Sequence, residues 1–200
     1  MPRLNWKSLL LLAAVALAGS AIIISGILST IHLPLLGWSG IAPLVVLVAL
    51  TVVSSRFIVP VTSVDGTSQT NKSVAEAFIF LAVIMYATPP ANSLGPAILL
   101  AAVGGFIASL PHKDKWARVF AIGISIVSTF VASLVYKVIL VAMGGAAVSA
   151  GQSGLNVLLL PLCAFGLVQY GVSTFGTIAF TSLSSGRGTV DVSKESVLRF

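Results

Sequence analysis

The sequence predicts an α-helical membrane protein whose chain crosses the bilayer several times. Of its 200 residues, 57% are hydrophobic and only 8% are charged, whereas an average soluble domain has about 25% charged residues. Its mean hydropathy is +1.08. Eleven Lys and Arg with five Asp and Glu are too few to cover the surface of a soluble fold of this size.

The basic residues lie in short gaps between apolar runs, so the net charge of +6 does not indicate a nucleic-acid partner. The predicted partner is the lipid bilayer.

Six apolar runs are candidate transmembrane spans, because a helix needs about 20 apolar residues to cross a hydrocarbon core of about 30 Å. Turn-forming residues separate them, among them Val64-Asp65-Gly66 and Pro89-Pro90. The third and fourth runs are short, and a re-entrant pair is the alternative for them. The predicted spans cover residues 9–31, 41–58, 74–87, 94–110, 117–143 and 155–181.

The distribution of positive charge predicts the orientation of this bundle. If the N-terminus is cytoplasmic, six crossings place ten of the eleven Lys and Arg residues on the cytoplasmic side, as the positive-inside rule requires. The exception, Lys137, lies within the fifth span. The sequence therefore predicts an all-α bundle of six spans in the cell (inner) membrane, with both termini cytoplasmic. Residues 1–181 form the bundle, and residues 182–200 form a juxtamembrane tail that resembles the start of a connecting helix.

Two charged residues, Glu76 at the edge of the third span and Lys137 within the fifth, are candidate ligand-binding residues, since ionisable groups at membrane depth often have functional roles. Glu76 fits a capping box with Ser73 at the start of a helix, and it can also line a pocket. Lys137 can extend its ammonium group to the outer interface, or it can face the bundle interior and bind an anionic ligand. Ser133, one turn earlier, and Gln169, in the middle of the sixth span, complete the predicted ligand-binding set.

Small and hydroxyl-bearing residues recur every four positions in the fourth and fifth spans. This spacing places successive members side by side on a helix and is typical of close helix–helix contacts. The sequence therefore predicts that these two spans pack together in one bundle. The predicted packing residues are Ala97, Ala101, Gly105 and Ser109 in the fourth span, and Ser125 and Thr129 in the fifth.

No residue pattern predicts catalysis, a metal site or a cofactor. The chain contains no HExxH sequence, no paired carboxylates within a span and no nucleotide-binding motif. Cys163 is the only cysteine, and His32 and His112 lie far apart at the edges of loops. The sequence therefore predicts that the protein is not an enzyme.

The middle of the chain resembles a known class of membrane sensory module. The segment SVAEAFIFLAVIMY over residues 73–86 leads into Pro89-Pro90, and Gly95 then opens a small-residue helix that contains Gly104-Gly105. This arrangement, over residues 70–140, resembles the MASE-type modules that precede GGDEF, HD-GYP or histidine-kinase domains. The resemblance implies a signalling input that transmits ligand-dependent changes in helix packing to a cytoplasmic output domain or across a homodimer.

Two other functions remain open from the sequence. Substrate-binding membrane subunits of vitamin-type transporters also have about six spans, with rows of alanines on the first helix. Ala14 and Ala18 match that spacing. A purely structural membrane protein is the second alternative.

Overall fold

A computed structural model describes residues 5–31, 33, 37–54, 58–62, 69–73, 75–87, 91–110, 114–143 and 155–185. Helices dominate this part of the chain, which confirms the helical fold class predicted from the sequence. The described elements are α1 (Trp6–Thr30), α2 (Trp38–Ser54), β1 (Ile58–Thr62), β2 (Gln69–Ser73), α3 (Ala75–Tyr86), α4 (Gly95–Ser109), α5 (Lys115–Ala142) and α6 (Leu155–Ser185).

A short β-hairpin between α2 and α3 is the main addition to the predicted architecture. The second span was predicted to reach Ile58, but α2 ends at Ser54 and Ile58 begins β1. The strands pair antiparallel, from Ile58 opposite Ser73 to Thr62 opposite Gln69. The β-branched residues of β1 favour extended backbone. Most of them are also apolar, so hydropathy alone does not distinguish this strand from a continuation of α2. The predicted turn at residues 64–66 falls outside the described residues.

Four helices extend beyond their predicted bounds, and α1 and α2 each begin three residues earlier than predicted. Helix α5 begins at Lys115, two residues earlier than predicted, because the carboxylate of Asp114 accepts a hydrogen bond from the backbone N–H of Trp116 at 3.0 Å and caps the helix. Helix α6 continues to Ser185, so the first residues of the predicted tail are helical. The hydroxyl of Ser184 donates to the carbonyl of Thr181 in this last turn.

Among the described residues, three helices are long and apolar enough to cross a membrane: α1, α5 and α6. The other three helices are apolar but shorter, with 17 residues in α2, 12 in α3 and 15 in α4. At about 1.5 Å per residue, α3 is about 18 Å long, less than the hydrocarbon core. The structure therefore gives three clear candidate spans and three shorter apolar helices.

The short helix α4 and the long helix α5 lie at the centre of the bundle. Helix α4 packs against α1, α2, α3 and α5, while α5 packs against α1, α4 and α6. Nine of the 15 residues of α4 are buried, whereas only four of the 25 residues of α1 are. The outer helices expose large apolar side chains, such as Leu17 (73%), Leu167 (73%) and Phe175 (75%). An apolar outer surface around a packed centre suits a lipid environment.

Successive helices run in opposite directions. Leu12, near the start of α1, packs with Phe120, near the start of α5, and with Phe180, near the end of α6. At the other end of the bundle, the hydroxyl of Tyr86, the last residue of α3, donates to the carbonyl of Gly40 in the first turn of α2 at 2.8 Å. Helices α1, α3 and α5 therefore point one way, and α2, α4 and α6 the other.

The start of α4 sits directly on the last turn of α1. A Cβ atom added to Gly95 would overlap the carbonyl oxygen of Gly26 and the hydroxyls of Ser29 and Thr30. Both hydroxyls also donate to the Gly26 carbonyl, at 3.0 and 2.7 Å. Only glycine fits at this position, because the two backbones approach closely.

The residues between α3 and α4 tie this contact to the rest of the bundle. We call residues 91–94 the α3–α4 connection. Within it, the N–H of Ser93 donates to the carbonyl of Tyr86 at 2.7 Å, and its hydroxyl donates to the carbonyl of Ser29 at 3.3 Å. The N–H of Gly95 in turn donates to the Ser93 hydroxyl at 3.2 Å. These bonds satisfy polar backbone groups at helix ends that lie inside the protein.

A pair of glycine substitutions tests this packing. Gly95→Ala forces α4 away from α1, and we expect a loss of about 3 kcal/mol in the free energy of unfolding. Gly171→Ala, in α6, is the matched control, because an added Cβ there meets nothing within 4 Å. It should stabilise the helix by up to about 1 kcal/mol. Thermal unfolding of both purified variants in one detergent measures the difference, and equal melting temperatures would contradict the packing.

Candidate functional site

Four polar side chains form a cluster between α5 and α6, in the apolar interior. Thr129, Ser133 and Tyr136 lie on one face of α5, since they are spaced by four and three residues. Gln169 approaches this face from α6, where its amide nitrogen donates to the hydroxyl oxygen of Thr129 at 3.5 Å. We call these four residues the α5–α6 polar cluster. Thr129, Ser133 and Gln169 were predicted from the sequence as packing or ligand-binding residues, and the structure brings them to one interface.

Three atoms of this cluster are buried without a hydrogen-bond partner in the protein. They are the hydroxyl oxygens of Ser133 and Tyr136 and the side-chain carbonyl oxygen of Gln169. Ser133 and Tyr136 are fully buried, and Gln169 is 9% exposed. A buried polar group without a partner costs about 1–3 kcal/mol. The cluster therefore retains hydrogen-bonding capacity that the protein itself does not use.

Aromatic and aliphatic side chains surround the cluster. Phe165, one turn before Gln169 on α6, is fully buried and belongs to the same core as Tyr136. Its ring meets that of Phe80 from α3 edge to face, with centroids 4.7 Å apart. Among the described residues, every buried polar side chain is neutral. The arrangement can bind a neutral hydrogen-bonding group, and it offers no charge to an ionic one.

Lys137 lies outside this cluster, although it follows Tyr136 directly. Its ammonium group donates to the backbone carbonyl of Asn92 at 3.0 Å and to the side-chain carbonyl of Asn92 at 2.8 Å. Asn92 adopts a φ of 42°, a left-handed conformation that asparagine tolerates better than most residues. Lys137 therefore reaches toward the end of the bundle and fastens the α3–α4 connection to α5. The sequence left open whether the ammonium group of Lys137 faces the bundle interior. In the structure this group binds Asn92 instead.

Glu76 is not a member of the α5–α6 polar cluster. It is exposed in the first turn of α3, whereas the α3–α4 connection that Lys137 contacts follows the last turn of that helix. A negative charge there interacts favourably with the helix dipole. Ser73 ends β2, and its side chain lies outside the described part of the structure. The capping-box pairing and the ligand role of Glu76 thus both stay predictions.

Of the predicted packing residues, Ala101 and Gly105 of α4 meet Ser125 of α5, whereas Thr129 contacts Gln169 of α6. Ala97, Ala101, Gly105 and Ser109 are all buried. A Cβ on Gly105 would lie 3.1 Å from the Cβ of Ser125, and the Ser125 hydroxyl donates to the carbonyl of Ala101 at 3.3 Å. This contact joins α5 to α4 at Ser125, and one turn further along α5 Thr129 contacts α6.

Sequence reasoning missed Tyr136 and Asn92. Tyr136 is one turn beyond Ser133, so its helical spacing could have placed it on the same face as Ser133. Nothing in the sequence links Asn92 to Lys137, which is 45 residues away. Within the described residues, no group of three or more His, Cys, Asp or Glu side chains could hold a metal ion. His32 and His112 lie outside those residues.

The comparisons with known proteins give no relative for this chain. No family model, no curated protein and no solved structure matches it. The site is therefore interpreted from its own geometry.

Substitutions at the contact between Lys137 and Asn92 test the structural role of the lysine. Lys137→Met removes both hydrogen bonds, and we expect it to lower the free energy of unfolding by about 1 kcal/mol. Asn92→Gly keeps the left-handed backbone but removes the side-chain acceptor, so it should lower the free energy of unfolding by less than Lys137→Met does. In the Asn92→Gly background, Lys137→Met should lower the free energy of unfolding by less than it does in the wild type. A higher melting temperature for Lys137→Met, as an unpaired interior lysine would give, would contradict this role.

Proposed function

We propose that this chain is a membrane-embedded sensory input module in which a ligand alters the packing of α5 against α6. The observation that carries the proposal is the α5–α6 polar cluster, with three buried polar atoms that have no partner in the protein. A ligand that binds the cluster better in one helix packing than in another shifts the equilibrium between them. The resemblance of residues 70–140 to MASE-type modules points to the same role.

We further propose six membrane crossings in the cell (inner) membrane, with both termini cytoplasmic. The alternating direction of the six described helices supports an even number of crossings, and the loop distribution of Lys and Arg supports the orientation. Helix α3 and helix α4 are shorter than the hydrocarbon core, but the longer helices α1 and α5 shelter α4. Short helices and irregular backbone are tolerated at membrane depth where protein encloses them.

Helix α6 is suited to carry the signal out of the membrane. It contains 31 residues and is about 46 Å long, compared with about 30 Å for the hydrocarbon core. Gln169 lies near its middle, so the helix extends beyond the core on both sides when Gln169 is at the midplane. A change of packing at Gln169 therefore moves a rigid segment that reaches Ser185, on the proposed cytoplasmic side.

The transporter-subunit alternative keeps one observation in its favour. Ala14 and Ala18 are both exposed on α1, where a partner helix could pack against them. Purification with a membrane ATPase complex, lost in an Ala14→Leu/Ala18→Leu variant, would favour a transporter subunit over a sensor.

Cysteine labelling tests the proposed topology. The native Cys163 is first replaced by serine, and single cysteines are introduced at Ala91, in the α3–α4 connection, and at Lys115, at the start of α5. In intact cells, a membrane-impermeant maleimide should label position 91 only, because the two positions lie on opposite sides of the membrane. Position 115 should react after permeabilisation. Labelling of position 115 in intact cells would contradict the six-span orientation.

A fused reporter tests the sensory role. A diguanylate cyclase domain is joined after Phe200, and its product is measured in cells. Gln169→Leu removes a buried carbonyl oxygen that has no partner, at the expense of the long contact from the amide nitrogen to Thr129. Loss of the unpartnered oxygen should stabilise the present packing by about 1–3 kcal/mol, which shifts the equilibrium by about five- to 150-fold. We expect a changed product level. Ser173→Ala, one turn further along α6, is the control and should leave it unchanged. Identical output from Gln169→Leu and wild type, at equal membrane levels, would contradict the proposal.

A further inference from the structure

The chemistry of the unpartnered groups restricts what the α5–α6 polar cluster can bind. Ser133 and Tyr136 carry hydroxyls, which donate and accept hydrogen bonds, while the free carbonyl oxygen of Gln169 only accepts. A matching group must therefore donate to Gln169 and accept from a hydroxyl. A hydroxyl group and a primary amide satisfy both requirements, whereas a quaternary ammonium group satisfies neither.

Other buried hydroxyls in the described part of the protein have hydrogen-bond partners, unlike those of Ser133 and Tyr136. The hydroxyls of Thr51 and Ser128 donate to backbone carbonyls of their own helices, at 2.7 and 3.1 Å. Such local bonds are the usual way for serine and threonine to be satisfied within a helix. Ser133 makes no such bond. Tyr86 likewise has a backbone partner, at Gly40, while Tyr136 has none.

The position of the cluster requires a ligand that is uncharged and largely apolar. Thr129 and Gln169 lie near the middle of α5 and α6, two helices long enough to cross a membrane. A full charge at the bilayer centre is strongly disfavoured. The nearest described cation, Lys137, directs its ammonium group to Asn92, away from the cluster. Beside the cluster, Phe165 and Phe80 offer aromatic surface to an apolar body.

We infer that the α5–α6 polar cluster binds a lipophilic, uncharged molecule through a single head group, an alcohol or a primary amide. The head donates to the side-chain carbonyl of Gln169 and accepts from the hydroxyl of Ser133 or Tyr136, while the apolar body lies along Phe165. This inference rests on the proposed function, because it names the class of ligand that the sensory site takes.

Photolabelling with an octanol that carries a diazirine group tests the inference. The full chain is reconstituted in lipid nanodiscs, irradiated with increasing probe and mapped by mass spectrometry. Saturable labelling is expected in the α5 and α6 segments around the cluster. Octanol and octanamide should compete with the probe, whereas octyltrimethylammonium should not, because its head cannot donate a hydrogen bond.

Variants assign the labelling to the cluster. Gln169→Leu, and at least one of Ser133→Ala and Tyr136→Phe, should raise the half-saturating probe concentration about tenfold, as expected for the loss of one buried hydrogen bond. The matched control is Ser128→Ala, since Ser128 is buried but already has a backbone partner. Each variant is first checked for wild-type elution and melting behaviour, and three separate substitutions leave the test available if one fails to fold.

Three results would overturn the inference. They are labelling that does not saturate, labelling that all three variants leave unchanged, and equal competition by octyltrimethylammonium. The first two would mean that the cluster holds ordered water only. The reporter fusion distinguishes failure of the proposed sensory function from failure of the binding inference. Saturable, cluster-dependent labelling without any effect of octanol on the fused cyclase would uphold the site and reject the sensory role.

Discussion

The arrangement of the helices at one end of the bundle depends on the close approach of Gly95 to the last turn of α1. The glycine lets two helix backbones meet, and the Gly26 carbonyl at that point already accepts from two hydroxyls. The α3–α4 connection is then held on one side by Ser93 and on the other by Lys137. Through these few polar bonds, the ends of α1, α3 and α5 and the start of α4 are fixed relative to one another, and α2 joins them through Tyr86.

The other interfaces of the bundle differ in how completely their polar groups are satisfied. At the α4–α5 contact, the hydroxyl of Ser125 reaches the carbonyl of Ala101, and small residues allow tight packing. At the α5–α6 contact, the side-chain amide nitrogen of Gln169 approaches the hydroxyl of Thr129 at 3.5 Å, and three buried polar atoms of the α5–α6 polar cluster have no partner in the protein. Unsatisfied polar groups in an otherwise well-packed protein are expected at functional sites. The bundle thus combines an α4–α5 contact whose polar groups are bonded with an α5–α6 contact that retains unused hydrogen-bonding capacity.

A membrane environment would explain why the short helix α4 lies inside the bundle. In lipid, backbone groups must be bonded within the protein, so helix ends and turns are costly unless other chain segments cover them. Helix α4 is short and has most of its residues buried, whereas α1 is long and mostly exposed. The long helices can therefore face lipid along their length, while the ends of the short ones find partners within the bundle.

By itself, the sequence determined the helical class and the positions of the six helices to within a few residues, because hydropathy and turn-forming residues act locally. It also identified the small residues that meet between α4 and α5, since their four-residue spacing defines one helix face. The β-hairpin was missed because Ile58 and its β-branched neighbours are as apolar as the helix before them. Only the tertiary structure decided that Lys137 binds Asn92 and that Tyr136 lacks a partner. Those outcomes depend on contacts between segments far apart in the chain, and no local pattern of residues encodes them.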